Sequence, residues 1–163
     1  MIYKNKLDEL LIQGTIVSRD GLQVTFSKKG TATTQQIKAL NERFDIRLPV
    51  EYVNFLLDYN GLELYKYEDI GGFLFFQTDN LVEENNLIKE DYEAEDWDNS
   101  IVLFCRVLGE GNFIGFRLKD NDKYEVIDCF HESLPSEWEV IETSFNIFMD
   151  KLLKNEGEKY WLV

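Results

Sequence analysis

The chain has 163 residues, and its 17 basic and 31 acidic side chains give a formal net charge of −14. This length is typical of one domain, and 12 Phe, 8 Tyr and 3 Trp residues supply apolar material for a core. The negative charge argues against nucleic acid and anionic membranes as partners, because both attract clustered Lys and Arg side chains.

The first predicted element is a β-hairpin within residues 10–30. Two runs rich in β-branched residues flank Asp20-Gly21, a turn pair that tolerates positive φ. We therefore assign residues 1–32 to an N-terminal extension with a hairpin and residues 33–163 to the main domain. The two parts are expected to form one compact unit.

Two helices are predicted next. Thr33 or Thr34 can cap the first, whose apolar stripe comprises Ile37, Leu40 and Phe44. Pro49 ends this helix at or before Leu48 and suits the first turn of the second helix. A left-handed Asn60-Gly61 pair ends the second helix. The apolar stripe of that helix comprises Tyr52, Phe55, Leu56 and Tyr59.

One strand and one helix are predicted in the middle of the chain. Phe73–Phe76 is a short apolar run of strand type that follows two glycines. Asp79 can cap a helix. The inner side of that helix would carry Leu81, Ile88 and Tyr92.

Three further strands and a final helix complete the pattern. The strands are predicted at about 100–107, 113–118 and 124–130, and the loops of four or five residues between them fit antiparallel hairpins. Apolar residues at helical spacing mark the last helix, from Phe145 to Leu153. The predicted fold class is α+β, an antiparallel β-sheet meander with helices packed against one face.

Negative charge is concentrated after residue 47. Residues 1–47 hold eight basic and five acidic side chains, whereas residues 48–163 hold nine basic and 26 acidic ones. In the densest stretch, residues 79–98, nine acidic side chains stand against Lys89 alone. Such a run indicates a solvated face, a surface for a basic partner, or a metal or catalytic site. The candidate partner-binding residues are Glu83, Glu84, Glu90, Asp91, Tyr92, Glu93, Glu95, Asp96, Trp97 and Asp98.

Two aromatic residues, Tyr92 and Trp97, interleave with these acids. Exposed aromatic side chains are enriched at the centres of protein interfaces. They could equally hold the segment against the core, and burial decides between the two interpretations.

No catalytic motif emerges from the sequence. Cys129 and His131 would lie about 7 Å apart on one strand face, whereas a nucleophile and its base need about 2.6–3.2 Å. The spacing of Gly109, Gly111 and Gly115 is one residue too long for a dinucleotide fingerprint, and no helix follows, which indicates a hairpin turn. The acidic stretch could collect Ca²⁺, but it lacks the ligand spacing and the essential glycine of a calcium loop. We expect no catalytic residue, no cofactor and no metal.

Compartment signals point to the cytoplasm. No stretch approaches the ~20 apolar residues of a membrane span. The N-terminal residues lack the apolar core of a secretion signal. Cys105 and Cys129 lie in apolar strand-like segments, and we expect two buried free thiols in a reducing cytosol.

The predicted helices also carry a family resemblance. One helix ends at Leu48-Pro49, the second carries Tyr and Phe, and Asn-Gly closes it. Together with residues 111–126 and 141–148, this pattern resembles the SUKH superfamily, immunity-protein domains similar to yeast cell-wall synthesis regulators. The family pattern often has an Asp after the middle strand, where this chain has Phe116-Arg117-Leu118. The carried-over positions are structural, not reactive: Leu48, Pro49, Tyr52, Phe55, Asn60 and Gly61.

The resemblance implies a protein that neutralises a bacterial toxin by direct binding and without catalysis. The expected partner is a cognate toxin with a basic surface, such as a nuclease, which an acidic surface would cover. The alternative is a non-catalytic regulatory or scaffold module of the same fold. A third hypothesis is an enzyme that uses carboxylates or a metal.

Overall fold

A single antiparallel sheet organises the fold, and its strands lie side by side in chain order. The computed structural model describes residues 1–162. The strands are β1 (Thr15–Val17), β2 (Gln23–Lys28), β3 (Leu62–Tyr67), β4 (Gly71–Phe75), β5 (Ile101–Val107), β6 (Phe113–Leu118), β7 (Tyr124–Cys129) and β8 (Glu139–Glu142). The helices are α1 (Lys4–Gln13), α2 (Thr34–Phe44), α3 (Val50–Asp58), α4 (Leu81–Lys89) and α5 (Phe145–Lys154), with short 3-10 helices at Pro135–Glu137 and Tyr160–Leu162. None of these helices is long and apolar enough to cross a bilayer.

The sheet and its helices confirm the predicted α+β class. Short turns join β5 to β6 and β6 to β7, as the loop lengths require of antiparallel neighbours. The glycine-rich segment between β5 and β6 is a hairpin turn, in which the Val107 N–H donates to the Asn112 carbonyl oxygen at 2.8 Å. It is followed by a strand, so it has no helix N-terminus to hold a phosphate.

Aromatic side chains fill the space between the sheet and helices α3 and α5. The ring centroid of Tyr52 lies 5.1 Å from that of Phe116 and 5.4 Å from that of Phe145. The rings of Phe104 and Phe116, on neighbouring strands, are 4.4 Å apart. All four side chains are fully buried. Because aromatic residues bury about 150–250 Å² each, this cluster is a large share of the apolar core.

The N-terminal segment contains a helix that the hairpin prediction missed. Residues 10–13, expected at the start of the hairpin, form the last turn of α1. Leu7 and Leu10 lie on the buried face of this helix, and Gly14, at φ 70°, ends it. The predicted hairpin is present but shorter, formed by β1 and β2. Since β2 also pairs with β3, residues 1–32 share the sheet of the main domain.

The start of α2 and its end have separate local causes. The Thr33 hydroxyl accepts the Gln36 N–H at 3.2 Å, and the Gln36 side chain accepts the Thr33 N–H at 2.9 Å. This capping box selects Thr33 over its neighbour as the cap. The helix ends at Phe44, because Asp45 adopts a left-handed conformation. Pro49 then precedes α3.

The predicted elements include neither β3 nor β8. In β3, buried Leu62 and Leu64 alternate with the partly exposed Glu63, a period of two that was available in the sequence. In contrast, β8 is a short edge strand with two exposed and two half-buried side chains, and its position follows from pairing with β7. Such a strand has no local signal, because its neighbour defines it.

The helix predicted after Asp79 is present but shorter than its apolar pattern. Asn80, not Asp79, occupies the position before α4. Leu81 and Ile88 are buried as predicted, whereas Tyr92 lies beyond the end of the helix at Lys89.

Candidate functional site

An acidic loop connects α4 to β5. We define the acidic loop as residues 90–98, which form neither helix nor strand. Carboxylates at the C-terminal end of a helix are disfavoured by the helix dipole and by their mutual repulsion, which favours an end to α4 at Lys89. Asp96 is half-buried, whereas the exposed carboxylates are those of Glu90, Asp91, Glu93, Glu95 and Asp98.

Three aromatic side chains hold the acidic loop against the body of the protein. The ring of Tyr92 lies 5.8 Å from that of Trp97 and 5.7 Å from that of Trp138, and the two tryptophans are 6.1 Å apart, edge to face. Trp97 is 9% exposed and Trp138 is 4% exposed. The aromatic residues of the acidic run therefore anchor the loop, and its carboxylates supply the accessible surface.

The carboxylates of α4 are paired within the protein. Glu83 receives a hydrogen bond from Arg43 at 2.7 Å, which lowers the pKa of Glu83. Glu84 receives one from Arg106, also at 2.7 Å. Both side chains belong to the predicted partner-binding set, yet each already faces a cation. Their negative charge is largely compensated.

The carboxylates of the acidic loop are different. In the part of the chain that the structure describes, no basic side chain lies within 4.0 Å of Glu90, Asp91, Glu93, Glu95 or Asp96. Asp98, at the end of the loop, lies 4.0 Å from the Arg117 guanidinium. The uncompensated charge of the predicted set is thus concentrated in residues 90–96.

Two further exposed acids, absent from the predicted set, are linked to the acidic loop through Trp138. Glu137 and Glu139 are exposed and flank Trp138, the residue on which the loop aromatics pack. The sequence Glu-Trp-Glu was an available signal, since it places two charges beside one large apolar side chain. We define the acidic surface as residues 90–96 together with these two glutamates.

The family-type positions lie in the core and its turns. Leu48 and Pro49 are buried between α2 and α3, and Tyr52 and Phe55 belong to the aromatic core. The buried Asn60 side chain contacts Thr78, and Gly61 has φ 82°. A Cβ at Gly61 would lie 2.3 Å from Gln77 Cγ. These placements agree with a structural role.

The residues considered for nucleophilic or metal chemistry are not arranged for it. Cys105 and Cys129 are free and buried, and burial raises the pKa of both thiols. Nδ1 of His131 lies 2.7 Å from Oδ1 of Asn112, so an amide, not a thiol, is its partner. Within residues 1–162, no group of three or more His, Cys, Asp or Glu side chains is placed to hold a metal ion.

Comparison with known proteins adds a family and a relative. The model of the SMI1 / KNR4 family (SUKH-1) matches residues 31–151, from just before α2 into α5, a range that includes the acidic loop. "Uncharacterized protein YnaB" of Bacillus subtilis (strain 168) is 25% identical over 149 residues. That alignment covers 85% of this chain and 88% of YnaB. The name of this relative states no activity.

Proposed function

Because the chain belongs to the SMI1 / KNR4 family (SUKH-1), whose domains are immunity-like or regulatory, we propose that it is an immunity protein. In this proposal it binds a cognate bacterial toxin domain and blocks it with the acidic surface. The toxin has a basic face at that contact, as a nuclease has where it meets phosphates.

The uncompensated carboxylates of the acidic loop are the observation that carries the proposal. Unpaired charges on one face produce a field that steers an oppositely charged partner and raises the association rate. Charges already engaged in ion pairs, such as those of Glu83 and Glu84, contribute less to such a field. The loop, not α4, is therefore the expected contact.

The aromatic anchor supports the same proposal. A surface loop that orders only on binding loses conformational entropy at that step, and this loss weakens the complex. Trp97 and Trp138 hold the acidic loop in place before any partner arrives. A pre-ordered loop suits tight inhibition of a toxin.

We further propose that the protein acts by binding alone, in the cytoplasm. Two buried free thiols, Cys105 and Cys129, support a reducing compartment. Occlusion of a toxin surface requires no bond to be made or broken, so no catalytic group is assigned.

The test is the association rate with the toxin domain encoded beside the gene of this protein. Neutralising three loop carboxylates, as Glu93→Gln, Glu95→Gln and Asp96→Asn, is expected to slow association about tenfold at low salt and to flatten its salt dependence. The matched control neutralises Glu9, Asp20 and Glu68, which lie outside the acidic surface. Equal rates for the two triple variants would contradict the acidic-surface mechanism. A neighbouring gene whose product does not bind would favour the regulatory-module alternative.

A further inference from the structure

A cleft of about 610 Å³ adjoins the acidic surface at Trp138 and its two neighbouring glutamates. It lies at the ends of β7 and β8, between the chain that follows β7 and the C-terminal residues 159–162. Three residues of the acidic region line the cleft. Glu137 and Glu139 belong to the acidic surface, and Trp138 supports the acidic loop. A partner that covers the acidic surface would therefore reach the mouth of this cleft.

Asp128, which lines the cleft, has a carboxylate whose hydrogen bonding is incomplete. Its Oδ2 accepts the indole N–H of Trp161 at 2.7 Å, whereas its Oδ1 is buried and has no hydrogen-bond partner among residues 1–162. Buried polar atoms without partners are rare, because each loses its water without replacement. Burial raises the pKa of Asp128, and neighbouring Glu110 and Glu139 raise it further. A cation bound in the cleft would stabilise the ionised form of this carboxylate through its charge.

Among residues 1–162, one basic side chain lines the cleft, and it is already engaged. Lys159 pairs with Glu110, and it lowers the pKa of Asp128 only through its charge, without a hydrogen bond to it. The remaining carboxylates of the lining belong to Asp128, Glu137 and Glu139. The cleft is therefore anionic, and its remaining carboxylates favour a positively charged ligand.

The walls of the cleft suit a side chain that is long, flat and partly apolar. Phe130 is 44% exposed although it is a large aromatic residue, and Leu162 is 65% exposed. A guanidinium can stack on an aromatic face while its apolar stem packs against such walls. An ammonium is compact and strongly hydrated, so it would use the planar surface less well.

We infer that this cleft is the anchor site for an arginine side chain presented by the basic face of the protein partner. The positive charge of the guanidinium faces the carboxylates that line the cleft, Asp128 among them, and its plane and stem pack on Phe130. This inference rests on the proposed function, since it assigns a partner residue to a cleft beside the acidic surface.

The test uses Nα-acetyl-arginine amide as the probe, followed by the indole N–H signals of the protein in two-dimensional NMR. Binding is expected to shift the Trp161 signal saturably, because this indole donates to Asp128. The citrulline analogue has nearly the same shape without the charge, and it should bind about tenfold more weakly. No saturable shift with the arginine probe, or equal binding of the two probes, would overturn the inference.

Protein variants complete the experiment. Asp128→Asn and Phe130→Ala should each weaken probe binding, whereas Asp122→Asn, at the opposite end of the β6–β7 hairpin, should not. Phe130 is half-exposed, so its variant tests the cleft even if the Asp128 variant unfolds. Stronger binding of free L-arginine than of the blocked amide would assign the cleft to a small metabolite and overturn the inference. The association assay with acidic-loop variants stands independently, so failure of the cleft and failure of the proposed function are distinguishable.

Discussion

Glu51, at the start of α3, accepts a hydrogen bond at 2.5 Å from the hydroxyl of Tyr124, the first residue of β7. The same carboxylate accepts the Asn146 N–H at 3.0 Å and the Ser144 hydroxyl at 2.9 Å, at the N-terminus of α5. An anion at this position satisfies otherwise unpaired backbone donors and complements the helix dipole. One side chain thus ties two helices to the sheet.

The first prediction concerns the stability contributed by this carboxylate. Glu51→Gln keeps the shape of the side chain but removes the charge, and we expect the free energy of unfolding at pH 7 to fall by about 1–3 kcal/mol. Thermal or urea unfolding measures the change. Glu68→Gln, in an exposed turn, is the matched control and should change stability by less than about 0.5 kcal/mol.

The same site predicts a pH dependence. Burial alone would raise the pKa of Glu51, but hydrogen bonds from Tyr124, Asn146 and Ser144 outweigh it and lower the pKa below 4.5. A group with a lowered folded pKa contributes stability above its unfolded value and loses it as the pH falls through the folded value. The wild-type protein should therefore lose more stability than Glu51→Gln between about pH 5 and pH 3. Parallel acid profiles for the two proteins would contradict this assignment.

The fold was largely readable from the sequence where a local pattern and a local cap coincided. Helices α2 and α5 and the two hairpins from β5 to β7 each combine an apolar pattern with a cap or a turn signal. The helix α1 and the strand β3 also carry a pattern, in Leu7 with Leu10 and in Leu62 with Leu64. In contrast, β8 depends on its neighbour β7.

The sequence predicts that the segment is acidic, but it does not predict which of its carboxylates are paired with cations. A charge run cannot reveal which carboxylates meet a cation, because the partners Arg43 and Arg106 lie 40 and 22 residues away from Glu83 and Glu84. Nor can it reveal Trp138, which packs on the loop from 41 residues beyond Trp97 in the chain. Long-range packing, which no local pattern encodes, separates the paired acids from the free ones.

Asn60 and Thr78 yield a second prediction, on the turn after α3. The Asn60 side chain donates to the Thr78 hydroxyl at 3.0 Å and accepts the Thr78 N–H at 2.8 Å, and both residues are buried. Asn60→Ala leaves a buried N–H without a partner, so we expect a loss of about 1–3 kcal/mol in the free energy of unfolding. Asn54→Ala, on the exposed side of α3, is the control. Equal unfolding midpoints for the two variants would show that this pair does not stabilise the turn.

A third prediction tests the aromatic anchor of the acidic loop. Trp97→Ala removes a buried ring between Tyr92 and Trp138, and we expect the free energy of unfolding to fall by about 3 kcal/mol. Amide hydrogen exchange in residues 90–98 should accelerate more than exchange in α5. Leu87→Ala, at an exposed position of α4, should leave both measurements almost unchanged. Unaltered exchange in the loop of the Trp97 variant would mean that other contacts order it.

The last prediction concerns Arg117, in β6. Its Nη2 donates to the carbonyl oxygens of Pro135 at 2.8 Å and Trp138 at 3.4 Å, and its side chain is only 15% exposed. Asp98 lies 4.0 Å from its Nε, so this guanidinium joins β6 to the segment that supports the acidic loop.

A lysine at this position keeps the charge but lacks the planar fork that faces two carbonyls and the carboxylates of Asp98 and Glu125 together. Arg117→Lys should therefore lower the free energy of unfolding by about 1–3 kcal/mol and accelerate hydrogen exchange in residues 135–138 and in the acidic loop. The matched control is Arg47→Lys, whose exposed guanidinium forms one long ion pair with Asp122. Because exposed pairs contribute little, the control should stay within about 0.5 kcal/mol of the wild type. If the two variants behaved alike, charge alone would explain Arg117, and the acidic loop would depend on its aromatic anchor without this polar link.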